Sequence, residues 1–375
     1  MRERAPLVPM RFADGHLGWF VTGYSAVRSI LSDPRFSARP ERHHLVVDLP
    51  MAEAFAGKLT LSVRGMLHLL DPPEHTRYRR VLAGEFTVQR MRRLEPTIAE
   101  ITRACLEAME ELGPPVDLVE EFAFPVPSLV ICELLGIAHE DRESFRWAVA
   151  TMSRWGSGVE ETRSALETVL GFFPPLIRRR RRDPGEDLLS RLIKSGGLTD
   201  EELATIGWIL FAGGFETTAN MLALGTFALL EHPGQKELLR GDLGLINNAV
   251  EELLRYLTIG HIGPQRAATE DVEIEGVLIR KGQAVMMSLP AANRDPAHFG
   301  DPERLDITKP AGGHIAFGHG VHGCLGQQLA RVVMRIAYPA LFGRFPGLRL
   351  AVPPGEVPTK QDMFVYGVHS LPVEW

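Results

Sequence analysis

The chain has 375 residues, 45% of them hydrophobic and 23% charged, with a formal net charge of −6. That length buries a large core, the balance is ordinary for a globular protein, and the negative charge argues against a general nucleic-acid binder. Three widely spaced cysteines, Cys105, Cys132 and Cys324, give neither a disulfide framework nor a zinc pattern, and the opening M-R-E-R-A-P leads into no apolar run fit for a signal peptide or membrane anchor.

No repeat or low-complexity linker divides the sequence. It is expected to form one domain over 1–375 in a reducing, cytoplasmic setting. Residues 19–22 read as a short strand and 25–32 as a helix stopped by Asp33-Pro34. From 40 to 70 no period is visible, and loops with short helices are expected. Asp71-Pro-Pro-Glu then opens a helix, with proline in its first turn. His75 and Arg79, four apart, share one face of it. Such a face suits a pair of carboxylates, or is simply solvated. Arg77, Arg80, Arg90, Arg92 and Arg93 add a basic region that either steers an acidic partner or faces water.

Residues 88–155 are helical in pattern, broken at Gly113-Pro114-Pro115 and near Gly136. Another helix over 158–182 closes in five arginines, expected to be a solvated end that complements the helix dipole. Thr199 and Glu202 form a capping box that starts a run lasting to His232-Pro233. At 1.5 Å per residue that helix is roughly 48 Å long. Its flanks are apolar, as in a buried helix, but its centre is Gly213-Gly214-Phe215-Glu216-Thr217-Thr218. Poor helix formers and a carboxylate in a core cost free energy unless used, so a distorted polar notch is expected there.

Glu252 and Arg255 follow at helical spacing as a carboxylate–guanidinium pair. Residues 264–289 alternate and turn at glycine, as short strands do. Together the small β-rich parts are approximately 1–40, 260–290 and 345–375, in a mainly α protein. Residues 317–326, F-G-H-G-V-H-G-C-L-G, set Cys324 in a glycine-rich loop directly before a helix. A lone cysteine is more often a buried free thiol than a reactive one. At a helix N-terminus, however, its thiolate is favoured and its pKa is expected to fall.

The loop resembles the haem-binding signature F-G-x-G-x-H-x-C-x-G of the cytochrome P450 family. H-x-x-x-R at His75 and Arg79, G-G-x-E-T-T at 213–218 and E-x-x-R at Glu252 and Arg255 stand in that family's order. The resemblance implies haem b between the long helix and the helix after the cysteine loop, with Cys324 the axial ligand to iron and Phe317 packed beside it. It implies that His75, Arg79, Arg266 and His322 contact the haem propionates, and that Thr217 and Glu216 deliver protons. Ile209, Ala212, Gly213 and Ile262 are implied on the substrate side, with Glu252, Arg255 and Arg304 as a structural scaffold. The implied activity is insertion of one oxygen of O2 into an apolar small molecule, by hydroxylation or epoxidation in secondary metabolism, with electrons from a ferredoxin. Haem-thiolate oxidation without oxygen insertion, as phenol coupling, desaturation or rearrangement, is a second reading. A non-enzymatic helical binder with an incidental cysteine is a third. The chain departs from the family's common residues at Leu305, Lys309 and Val333.

Overall fold

The computed structural model describes residues 6–44, 46, 64–138, 142–154 and 156–375, so the readings for residues 1–5 and for most of the 40–70 stretch lie outside the described residues. Helices dominate. In chain order they are α1 (Tyr24–Ser32), α2 (Glu74–Ala83), α3 (Val88–Arg93), α4 (Glu95–Leu112), α5 (Pro125–Leu135), α6 (Arg142–Ser153), α7 (Val159–Arg182) and α8 (Leu188–Ser195). Then follow α9 (Asp200–Glu231), α10 (Pro233–Gly241), α11 (Ile246–Leu257), the single turns α12 (Leu289–Ala292) and α13 (Pro296–Phe299), and α14 (Gln327–Arg344).

The expected capping box is present: Thr199 Oγ1 accepts from Glu202 N, and Glu202 reaches back to Thr199 N. It starts α9, whose 32 residues stay α-helical throughout. The expected distortion at 213–218 is therefore not a break. Thr217 Oγ1 donates to Gly213 O at 2.6 Å, a local bond that leaves the helical ladder intact. α9 packs most extensively on α5 and α7, and also meets α14. Phe211, Phe215 and Leu222 are among its buried side chains, each contributing about 1.5–3 kcal/mol by leaving water.

Three groups of strands flank the helices. β1 (Leu7–Arg11) and β2 (Leu17–Val21) pair antiparallel, and β2 runs parallel to β8 (Ala284–Met287). β5 (Gln265–Ala268) joins β8 to β3 (Phe36–Ser37), so the 1–40 and 260–290 segments share a five-stranded sheet. β6 (Val272–Ile274) and β7 (Val277–Ile279) form a hairpin through Glu275 and Gly276, both at positive φ, the turn that suits strand twist. The 345–375 segment goes elsewhere. Its β10 (Pro372–Glu374) pairs antiparallel on one side with β9 (Arg349–Leu350) and on the other with β4 (Val116–Asp117), a two-residue strand hidden in the sequence between helices.

The five arginines ending α7 are not all solvated. Arg180 donates to Gly136 O at 2.9 Å and pairs with Asp187, and Arg181 Nε donates to Asp200 at 2.8 Å. Arg180 fastens the end of α7 to the end of α5 and the cap of α8, and Arg181 fastens it to the start of α9.

Candidate active site

Backbone geometry builds the cysteine loop. Gly318 and Gly320 both hold φ near +71°, a region that glycine adopts without strain. Cys324 N donates to Phe317 O at 2.8 Å, closing the loop. α14 starts three residues after the cysteine, so the N–H groups of Gly326 and Gln327 point at the sulfur. Arg79 Nη1 donates to Gly323 O at 2.7 Å, and the Arg331 guanidinium stacks 4.6 Å over the Phe317 ring. Cys324 is exposed to the cavity, yet the protein packed around the sulfur desolvates it and pushes the thiol up, outweighing those N–H groups and the Arg79 and Arg331 charges. The expected fall is thus reversed for the thiol alone, because a cavity wall desolvates it. A bound metal ion would supply the missing charge, since a coordinating thiol is deprotonated outright.

Opposite the sulfur stands α9. Ile209, Gly213 and Thr217, spaced four apart, present one stripe to the cavity. Two cavities of ≈220 and ≈410 Å³ meet here, and Gly213, Thr217, Phe317, His322 and Cys324 line both. A Cβ on Gly213 would touch nothing within 4 Å, so this glycine leaves the slot open. Glu216, on the next face, is buried and accepts from Ser153 Oγ at 2.9 Å. Burial raises its carboxyl, partly countered by the Lys360 charge and the Ser153 bond.

One edge of the slot is cationic. Arg266 is buried, and its Nη1 donates to Gln265 O at 2.7 Å; it forms no ion pair with a carboxylate among the described residues. Burial lowers its pKa to about 10. Among the described residues both ring nitrogens of buried His75 and Nδ1 of His322 lack partners, and the two rings lie 4.3 Å apart. Burial and the neighbouring positive charges bring His322 down to about 3. A buried guanidinium and orphaned imidazole nitrogens are costly unless an anion answers them. The two propionates of haem b fit that edge, its iron fits the sulfur, and its planar ring fits the slot between α9 and α14.

Three of the expected residues are placed apart from the others. Ala212 packs with the main hydrophobic core and does not line either cavity, because the stripe at 209, 213 and 217 turns it away. Ile262 packs beside Phe12, Ala284 and Met286 on the small sheet, and Ile259 and Gly260 line the cavity in its place. Arg304 does not join the scaffold by its side chain, which is 63% exposed and 3.8 Å from Asp306. Its carbonyl does, accepting from Arg255 Nη2 at 3.2 Å. Arg255 also donates to Pro302 O and Asn293 O, and grips Glu252 in a two-pronged pair at 2.7 and 2.8 Å.

Other groups were not legible in the sequence. His68 lines the smaller cavity beside His75 and Arg79, and burial lowers its pKa to about 4. His43, with Nε2 buried and unpartnered, lies within the field of Arg266. Both fall in the stretch without periodicity, which offers no face to read. Glu251, next to Glu252, bonds His314 at 3.0 Å and Arg331 Nε at 2.6 Å, tying α11 to the cysteine loop and α14. Those partners are 63 and 80 residues away in sequence.

Comparison with known proteins agrees with this geometry. The cytochrome P450 family model matches residues 159–374. Cytochrome P450 105C1 of Streptomyces sp is 49% identical over 376 residues, covering 100% of this chain and 93% of that protein. 6-Deoxyerythronolide B hydroxylase of Saccharopolyspora erythraea is 39% identical over 381 residues, with 100% and 94% covered. The crystal structure of mycinamicin VIII C21 methyl hydroxylase from Micromonospora griseorubida superposes with a TM-score of 0.93 at 37% identity, covering 100% and 95%. By sequence along its whole length and by the slot that Cys324 faces, the chain belongs to the cytochrome P450 family, monooxygenases that bind haem b through an axial cysteine thiolate.

Proposed function

We propose that this monooxygenase hydroxylates or epoxidises an apolar small molecule of actinobacterial secondary metabolism, such as a polyketide, macrolide or terpenoid, in the cytoplasm. A ferredoxin and its reductase supply the two electrons. One oxygen atom of O2 enters the substrate and the other leaves as water, consuming two protons. The observation that carries the reading is that Cys324 and Thr217 line the same two cavities. Apolar side chains, among them Leu67, Phe86, Ile209, Ile259 and Val365, line the remainder. The relatives named as hydroxylases of 6-deoxyerythronolide B and mycinamicin VIII support this substrate class.

Bound through Cys324, haem b supplies the oxidising chemistry. The chain's residues hold it and manage protons. Arg266, His75, His322 and Arg79 would hold the propionates, which would answer the buried Arg266 charge and the His75 and His322 nitrogens that have no partner among the described residues. Thr217 has its hydroxyl proton committed to Gly213 O, so its lone pairs are free to accept a hydrogen bond in the cavity. Glu216, a buried carboxyl next to Thr217 whose affinity for a proton burial raises, is suited to take up and pass on a proton. Arg80, Arg92 and Arg93 are exposed and available to an acidic ferredoxin, whereas Arg77 and Arg90 are engaged by Glu202 and Glu85.

The test supplies ferredoxin, reductase, NADPH and ¹⁸O2 with a panel of polyketides and terpenoids. Product carrying one ¹⁸O supports insertion. Product lacking two hydrogens and carrying no label replaces it with desaturation or coupling.

A further inference from the structure

Glu216 is not the only charge on its side of α9. Lys360, from the loop between β9 and β10, reaches in and donates from Nζ to Asn220 Oδ1 at 3.0 Å. Asn220 lies one turn beyond Glu216 and is itself buried, its Nδ2 without a partner. At that spacing the side chains are neighbours. The Lys360 backbone N donates to Gly367 O at 2.8 Å, and Thr359 pairs with Val368, so the loop that carries the ammonium is an ordered hairpin. Lys360 and Glu216 act on each other electrically without a direct hydrogen bond among the described residues. Further out, Arg146, Glu120 and Asp362 also act on Lys360. Glu120 and Asp362 are 39% and 56% exposed, so this group of charges runs from the surface to the centre of α9.

A half-buried ammonium held beside a buried carboxyl has one economical arrangement, in which both are charged and each offsets the other's desolvation. We propose that Lys360 is a positioning residue that keeps Glu216 a carboxylate, through Asn220 and across one turn of α9, and so ties the proton state of the active-site acid to the seating of the C-terminal loop. Burial works the other way on each group, raising Glu216 and lowering Lys360, so the pair stands or falls together. When Glu216 takes a proton, Lys360 is left without its counter-charge, and the exposed Glu120 and Asp362 are the groups through which it exchanges with solvent. The catalytic consequence rests on the proposed role of Glu216 in proton delivery. The charge coupling does not, and it is measured separately.

The test is infrared spectroscopy of the haem-loaded protein across pH, following the carbonyl stretch of a protonated carboxylic acid that vanishes in Glu216→Gln. In the wild type this band is expected only on acidification. In Lys360→Met it should persist to higher pH and still vanish when Glu216→Gln is added, while Lys360→Arg restores the wild-type midpoint. Asn220→Leu, which releases the ammonium but keeps both charges, should move the midpoint in the same direction by less. Retention of the haem-thiolate spectrum certifies each variant as folded. If Lys360→Met does not fold, the Asn220→Leu midpoint decides the matter. Equal midpoints in the wild type and the folded variants would overturn the proposal. A shifted band in a protein that inserts no oxygen would leave the coupling intact and remove the monooxygenase reading.

Discussion

The Tyr338 hydroxyl occupies the space a side chain on Gly225 would take: a Cβ there would lie 1.9 Å from Oη. The same hydroxyl donates to Met221 O at 2.6 Å. Tyr338 belongs to the helix that follows the cysteine and Gly225 to the long helix, so this contact sets the spacing of the two walls of the haem slot. Gly225→Ala is expected to force the helices apart and cost about 1–3 kcal/mol. Tyr338→Phe should cost about 1 kcal/mol. In a urea-unfolding cycle the double variant should lose less than the sum, because the hydroxyl is the closest clash. Strict additivity would show that the spacing is set elsewhere.

Glu202 fastens α2 to the start of α9. It accepts from Arg77 Nη1 at 2.6 Å, Tyr78 Oη at 2.7 Å and Thr199 N at 2.8 Å. Burial opposes its charge, yet these bonds take its pKa from the ordinary 4.5 down to about 2. A folded pKa below the unfolded one stabilises above the unfolded value, and that stabilisation is lost as pH falls from 4.5 towards 2. Glu202→Gln should cost about 1–3 kcal/mol at neutral pH and flatten the acid limb of a stability-versus-pH curve. An unchanged acid limb would contradict this assignment.

Arg255 and Arg304 should part company on mutation. Arg255→Lys loses the buried two-pronged grip on Glu252 and reach to three carbonyls, two of them buried, at a cost of about 3–5 kcal/mol. Arg304→Ala removes an exposed side chain and leaves its carbonyl in place, so it should stay within about 0.5 kcal/mol of wild type. Thermal unfolding with haem-retention measurements separates the two. Equal losses would restore a scaffold role for the Arg304 side chain.

Thr217→Ala should preserve haem binding, because the hydroxyl bonds only within its own helix and alanine is a better helix former. Product formed per NADPH should fall by about tenfold or more, with hydrogen peroxide taking up the difference. Unchanged coupling would remove Thr217 from proton delivery.

What the sequence made legible was local. The Thr199–Glu202 capping box, the spacing of His75 and Arg79, and the glycines around Cys324 each act within a few residues, so period and composition disclose them. Ala212 packs on the main core beside the stripe at 209, 213 and 217 because one residue's step on a helix turns a side chain by about 100°. Ile262 lies in the bend before β5, where no period shows which way a residue faces. The longer-range links were silent. Lys360 meets Asn220 from 140 residues away, and Tyr338 meets Met221 from 117. Nothing in local pattern announces such pairs, since they exist only once the helices are packed.

The central claim is that Cys324 holds haem iron by its sulfur. The direct measurement is the absorption spectrum of the purified protein, reduced under carbon monoxide, for wild type and Cys324→Ala. A strongly red-shifted Soret band in the wild type, absent from the variant, is the predicted result. A protein without haem, or a spectrum indifferent to Cys324, would contradict the account.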